Sequence, residues 1–205
     1  MKAHLIAIVG GSGSGKSWLA DRLEAALAPH AVRVSLDDFY HDSSHLSLGR
    51  RARRNFDHPR ALDWVTLERA LTRLRRGQPA RVPRYDFATH ARQPGDQRVE
   101  PRPVVLVEGL LALHHPALRA LYDLGVFVTC PPKVRLERRL ERDVAARGRV
   151  PADVRRQFRE QVEPMHVRYV EPQQQWADLV LEPPIGAAEV RRVAAVIRRL
   201  AALAG

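Results

Sequence analysis

Ile6-Ala7-Ile8-Val9-Gly10-Gly11-Ser12-Gly13-Ser14-Gly15-Lys16-Ser17 is the stretch on which the reading of this chain turns. A short apolar run passes directly into a glycine-rich turn closed by Lys-Ser, and a helical pattern follows. This is the strand, G-x-x-x-x-G-K-S, helix arrangement of a phosphate-binding loop. Glycines let successive backbone N–H groups turn inward around phosphate oxygens. The helix that follows aims the positive end of its dipole at the same anion. Lys16 is long enough to reach β- and γ-phosphates, and the Ser17 hydroxyl is suited to ligate Mg²⁺. Gly10, Gly11, Ser12, Gly13, Ser14, Gly15, Lys16 and Ser17 are therefore the candidate cradle for a nucleoside triphosphate, ATP or GTP. A chance glycine turn is the bland alternative, and the flanking strand and helix patterns weigh against it.

Working outward, apolar runs recur at 5–9, 31–35, 104–107, 126–129 and 177–181. They are short and lack clean alternation, as strands buried on both faces do. Helical patterns lie between them at 17–28, 66–76, 133–146, onward from 151, and at 189–203. Gly77 and Gly148 are stop signals, and Pro151 suits a first helical turn. Strands alternating with helices predict a five-stranded parallel α/β sheet. Two stretches break the rhythm. Residues 41–60 are polar and turn-rich, and 78–103 carries Pro79, Pro83, Pro94, Pro101 and Pro103. The second is read as a hairpin excursion, and long excursions in compact domains are often functional.

The bulk properties exclude several classes. At 205 residues the chain suits one domain with a real core. Its 45% hydrophobic and 28% charged residues make an ordinary globular balance. No apolar run approaches a membrane span, and no signal peptide is expected. Cys130 is the only cysteine, which excludes an intrachain disulfide and fits a reducing, cytoplasmic setting. The net charge of +11 raises nucleic-acid binding. The arginines are spread along the chain, often beside carboxylates, and form no tail, so polyanionic small molecules are preferred and no nucleic acid is expected.

A phosphotransferase also needs a site for an acceptor hydroxyl and a group to take its proton. The second strand ends in Ser35-Leu36-Asp37-Asp38-Phe39-Tyr40, which puts two carboxylates at the strand end where ligands bind in open α/β sheets. Asp37 is a candidate base or Mg²⁺-linked carboxylate; a turn-capping Asp is the alternative. The third strand ends in Val107-Glu108-Gly109, so Glu108 is a candidate near Mg²⁺ or a capping residue. Arg135, Arg138, Arg139 and Arg142 fall at i, i+3, i+4 and i+7, one helix face. Four guanidinium groups repel unless an anion joins them, and a triphosphate supplies one. A solvated face balanced by Glu137, Glu141 and Asp143 is the alternative.

Seven motifs in order carry a resemblance: GGSGSGKS (10–17), DDFY (37–40), NFDHP (55–59), PRYDFATHAR (83–92), VVLVEGLLAL (104–113), RLERRLERDVAARGR (135–149), and EPMHVRYVEP followed by WADLVL. Together they resemble the uridine–cytidine kinases of the broader uridine kinase and phosphoribulokinase group, from Ile6 to about Pro183. NFDHP and YDF..H.R are the specific parts. The resemblance implies a P-loop kinase domain over 1–205, with the 78–103 hairpin and an arginine-rich lid at about 131–165. It implies Asp37 as the catalytic carboxylate beside a nucleoside 5′-hydroxyl, helped by Lys16 and Arg142. Asp57 matches the residue that holds the ribose hydroxyls, with Phe56 near the base. Tyr85 and His90 match the pair that frames the pyrimidine edge, and Arg139, Arg149 and Gln157 match further nucleoside contacts. Arg142 and Arg147 match lid residues near the transferring phosphoryl group, and Ser17, Asp37 and Glu108 the Mg²⁺ site. The implied reaction is ATP-dependent phosphorylation of uridine or cytidine by a cytoplasmic enzyme, with a homo-oligomer expected.

Two departures bear on acceptor identity. Thr129-Cys130-Pro131-Pro132-Lys133 stands where the family usually has an acidic D-x-D pattern, and Arg60 follows NFDHP where an acidic residue is common. Rival readings are a related kinase for nicotinamide riboside, pantothenate or a sugar phosphate, the last served by Arg50 to Arg54, and a nucleotide-dependent nucleic-acid binder.

Overall fold

The computed structural model describes residues 2–203, apart from the side chains of Ala146 and Arg147. In chain order, strand β1 (His4–Gly10) leads through the glycine loop into α1 (Lys16–Ala26), then β2 (Ala31–Ser35), a short α2 (Leu48–Ala52) and α3 (Trp64–Arg75). Strands β3 (Ala80–Val82), β4 (Tyr85–Asp86), β5 (Ala91–Arg92) and β6 (Gln97–Val99) form the excursion. They are followed by β7 (Val104–Gly109), α4 (Pro116–Arg119), β8 (Leu124–Val128), α5 (Pro132–Arg147) and α6 (Pro151–Gln157). Beyond α6 the chain stays helical to Trp176 through two wide π-turn segments, with α7 (Glu163–Met165) between them, before β9 (Leu179–Leu181) and α8 (Ala187–Leu200). Among the described residues no helix is long and apolar enough to cross a membrane.

The main sheet has five parallel strands in the order β2-β7-β1-β8-β9, as the alternating pattern predicts. Alternate residues of β1 explain why its sequence shows no polar face. Leu5, Ala7 and Val9 pack on one side with Leu67, Leu71 and Leu74 of α3, while Ile6 and Ile8 pack on the other with Leu19 and Leu23 of α1 and Val193 and Ile197 of α8. A central strand covered by helices on both faces has no solvent side to mark with polar residues.

The 78–103 excursion is two nested antiparallel ladders, β3 with β6 and β4 with β5. Arg92 fastens it to the body of the protein. Its Nε donates to Tyr40 O at 2.8 Å, and Nη2 to Phe39 O at 3.3 Å and Asp63 Oδ2 at 3.1 Å. Asp63 also caps α3 by accepting from Thr66 N–H and hydroxyl. Asp63, four positions beyond Pro59, thus joins α3 to the hairpin.

Candidate active site

The carboxyl ends of β1, β2 and β7 bring the sequence-predicted phosphate and metal residues to one edge. Register pairs Ser35 with Glu108 across β2 and β7, and Glu108 with Ile8 across β7 and β1. Glu108, 7% exposed, accepts from Ser35 Oγ at 3.2 Å and from Ser17 Oγ at 3.1 Å. Gly109 lets the turn after β2 close over this carboxylate, since a Cβ there would lie 2.5 Å from Leu36 Cβ.

The glycine loop is walled by α5. Gly13 has φ 82°, and a Cβ on it would meet Arg135 O at 2.5 Å. Its glycine is thus demanded by left-handed backbone and by the helix against it. Arg138 Nη1 donates to Gly13 O and Ser14 O, both at 3.3 Å. Arg139 Nη1 donates to Ser12 Oγ at 2.8 Å.

Asp37 stands on the tight turn Leu36–Phe39, its N–H held by Ser35 Oγ at 3.3 Å. The Tyr40 hydroxyl donates to Asp37 Oδ1 at 3.1 Å. Burial first, then the charges of Asp37 and Asp57, push the Tyr40 phenol well above its ordinary value, so it remains a donor. Asp38 serves a different purpose: its Oδ1 accepts the Tyr85 N–H at 3.2 Å and anchors the hairpin. Burial raises its carboxyl.

Between the loop and the hairpin lies a cleft of about 810 Å³. Lys16, Asp37, Phe56, Asp57, Tyr85, His90, Arg139, Arg142, Arg149 and Gln157 all line it, so residues spread across 142 positions of sequence meet in one space. Asp57 is 8% exposed. Burial pushes its carboxyl up, while Arg139, Lys16 and Arg142 pull it down and Asp37 adds to the rise. The aromatic wall is tightly organised. Tyr40 lies edge-on to Phe56 and Tyr85 at centroid distances of 5.1 and 5.3 Å, and His90 stacks on Phe56 at 5.3 Å. Among the described residues the buried Tyr85 hydroxyl has no hydrogen-bond partner, and burial pushes it up to about 12. A flat ring with a polar rim is complementary to such a wall.

The arginine stripe of α5 divides. Arg135 is 1% exposed, paired with Glu163 at 2.6 Å and bonded to Cys130 O at 3.1 Å, so it anchors the helix base and does not face the cleft. Arg138 holds the loop backbone, and Arg139 and Arg142 reach the cleft. A stripe from Arg135 to Arg142 spans about 10 Å of axis, so one shared face meets several neighbours in turn. The charge crowding expected to require an anion is relieved by Glu163 at one end and Asp143 at the other. Pro131 and Pro132 start α5 as its N-cap and first residue, a placement the missing Pro N–H tolerates. The Arg147 side chain lies outside the described residues.

Several contributors were not singled out from sequence. Asn55 Oδ1 accepts from Asp57 N–H at 3.1 Å and from Gln161 Nε2 at 3.0 Å, tying NFDHP to the helix after α6. Gln173 is fully buried and bonds Leu113 N–H and the carbonyls of Leu110 and Tyr169. Arg92 and Asn55 lay inside recognised motifs, whereas Gln173 in a Gln-rich run carried no signal.

Among the described residues no group of three or more His, Cys, Asp or Glu could hold a metal. Ser17 Oγ and Glu108 meet at this edge, and hard oxygen donors of this kind, few in number and completed by water and phosphate, are the chemistry Mg²⁺ accepts.

A model of the phosphoribulokinase and uridine kinase family matches residues 5–185. A uridine kinase from Chloroflexus aggregans is 44% identical over 177 residues, covering 86% of this chain and 85% of that protein. A uridine kinase from Shewanella frigidimarina is 39% identical over 182 residues, with 86% of each chain covered. The fold is similar to that of a phosphoribulokinase from Rhodobacter spheroides, with a TM-score of 0.65 at 20% identity over 88% of this chain and 70% of that one. The chain belongs to the phosphoribulokinase/uridine kinase family.

Proposed function

We propose that this protein transfers the γ-phosphoryl group of ATP to the 5′-hydroxyl of a pyrimidine nucleoside, uridine or cytidine, yielding the 5′-monophosphate and ADP. The observation that carries this reading is the single cleft into which Lys16, Asp37, Asp57 and the Phe56–Tyr85–His90 wall all open. Relatives named uridine kinase, 39–44% identical over most of the chain, add to it.

The triphosphate lies on Gly10 to Ser17, with Lys16 at its β- and γ-phosphates. Asp57 in its ionised form accepts from both ribose hydroxyls, a task suited to a carboxylate with two oxygens. Phe56, Tyr85 and His90 frame the base, and the Tyr85 hydroxyl is available to its polar rim. Arg139, Arg149 and Gln157 close the nucleoside side. Asp37, oriented by Tyr40, takes the proton of the 5′-hydroxyl as that oxygen bonds to the γ-phosphorus. The bond from that phosphorus to the β,γ-bridging oxygen breaks, and its electron pair leaves with ADP. Lys16 and Arg142 neutralise charge on the transferring group, an electrostatic contribution of the kind that dominates phosphoryl transfer. Ser17, Asp37 and Glu108 would hold Mg²⁺, which when bound neutralises phosphate charge. Residues at about 131–165 act as the lid of one kinase unit over 1–205, and the enzyme works in the cytoplasm on small-molecule substrates.

The rival sugar-phosphate acceptor requires a basic cluster at the acceptor site. Of residues 50–54 only Ala52 lines the cleft. Arg51 is bonded to Leu46 O at 2.7 Å and Thr89 O at 3.2 Å, and Arg54 to Ser43, so both are engaged in loop structure. The test is an ADP-release assay over uridine, cytidine, nicotinamide riboside, pantothenate and a sugar phosphate. Turnover with uridine or cytidine is expected; silence with both overturns the reading. Asp37→Asn should lower kcat about 10²–10⁴-fold with ATP binding retained, the usual weight of a positioned base.

A further inference from the structure

Asp143 lies in α5 one residue beyond Arg142, and its side chain is 0% exposed. A fully buried carboxylate on a helix this polar needs compensation, because an ionised group out of water is costly unless paired. Among the described side chains three guanidinium groups supply it. Arg142 Nε and Nη2 meet Oδ1 at 2.9 Å, Arg139 Nε lies 3.5 Å from Oδ2, and Arg149 Nη1 lies 3.4 Å from the same oxygen. The backbone adds to the arrangement, since Arg149 N–H donates to Asp143 O at 3.1 Å.

Each of these arginines lines the cleft, and two of them make further contacts outward. Arg139 reaches Ser12 of the glycine loop at 2.8 Å, and Arg139 and Arg149 both donate to Gln157 Oε1, at 3.0 and 2.7 Å. The carboxylate thus sits behind the cleft wall at the point where the glycine loop, α5, the turn at Arg149 and α6 are joined. Among the described side chains, the one negative charge against three positive ones lets these arginines converge without a ligand and leaves excess positive charge toward the cleft. Without it, mutual repulsion drives them apart, and Arg142 on the exposed side of α5 is the freest to swing into solvent.

We propose that Asp143 is a positioning residue: it touches no substrate, but it holds Arg139, Arg142 and Arg149 in the geometry that meets the nucleoside and the transferring phosphoryl group. The proposal rests on the kinase reading above. Wild-type turnover of uridine or cytidine tests that reading, and the variants are measured against it, so the two fail separately.

Asp143→Asn keeps the shape and removes the charge. A wall displaced by an ångström costs about 100-fold in rate, so kcat/KM for the nucleoside should fall by that order. Affinity for ATP without nucleoside should change little, since the glycine loop and Lys16 remain. A second variant separates positioning from mere folding. Asp143→Glu keeps the charge that holds the arginines together but lengthens the arm, so it should recover part of the kcat/KM lost in the Asn variant, with nucleoside KM raised several-fold over wild type and ATP affinity unchanged. If the Asn variant does not fold, the Glu variant decides alone by that pattern. Unchanged nucleoside kinetics in a folded variant, no recovery in the Glu variant over the Asn variant when both fold, or equal losses for ATP and nucleoside would each overturn the proposal.

Discussion

Tyr40 donates its phenolic proton to Oδ1 of Asp37 across 3.1 Å, from a ring that is itself packed edge-on between Phe56 and Tyr85. The carboxylate proposed as base is therefore oriented by the same aromatic cluster that forms the wall for the base of the nucleoside. Tyr40→Phe removes only the hydroxyl and leaves the ring contacts. A hydrogen bond to a charged group contributes about 1.5–3 kcal/mol, so kcat should fall about 10- to 100-fold and Tm by roughly 3–12 °C. Steady-state kinetics beside a thermal melt checks both halves.

Asp57 carries a pH signature. Burial raises its carboxyl above the ordinary 3.8 despite three cationic neighbours. A raised carboxyl binds its proton more tightly when folded, so ionising it costs folding stability as pH rises through the folded value. Asp57→Asn should therefore raise Tm at neutral pH, with the gain fading in acid below the ordinary carboxylate range. Its catalytic cost should be loss of nucleoside binding. Melts at neutral and acid pH, with nucleoside KM measured alongside, test the opposed effects.

Glu108 divides its two oxygens between Ser17 and Ser35. Glu108→Gln can still accept one of these bonds and donate in the other's place, so the fold should survive. The lost charge should weaken the proposed Mg²⁺ site, raising the Mg²⁺ concentration for half-maximal activity about tenfold, the scale seen for outer-sphere ligands of metal sites. Titration of activity with Mg²⁺ at saturating ATP reads this directly.

Arg92 joins the hairpin to Tyr40 O, Phe39 O and Asp63. Arg92→Met keeps the aliphatic stem and removes these bonds. Stability should fall by about 1.5–3 kcal/mol, and nucleoside KM should rise because Tyr85 and His90 ride on the hairpin. Denaturant unfolding and KM for nucleoside against KM for ATP check the pairing; equal rises in both would refute a hairpin-specific effect.

Much of the architecture was legible because it rests on local rules. Buried strands show as short apolar runs, and β1, β2, β7 and β8 lie where those runs lie, within a few residues. The predicted helix at 66–76 is α3, Trp64–Arg75, starting two residues earlier because Asp63 caps it. The glycine loop required no tertiary information, since its backbone geometry and its Lys and Ser are chemically self-explanatory.

The arginines of α5 mark the boundary. Periodicity placed Arg135, Arg138, Arg139 and Arg142 on one face, correctly for a helix. It carried no information on what that face would meet. Arg135 went to Glu163, 28 positions away, Arg138 to the loop backbone, and Arg139 and Arg142 to the cleft and Asp143. Asp143 looked from sequence like one more surface counter-charge, and its burial depends on how α5, the turn at Arg149 and α6 come together. Gly10 to Ser17 could be understood from neighbours along the chain, because backbone conformation is set within a few residues. The cleft opposite it joins residues 12 to 161, and contacts across such separations exist only once the sheet has placed its strand ends side by side.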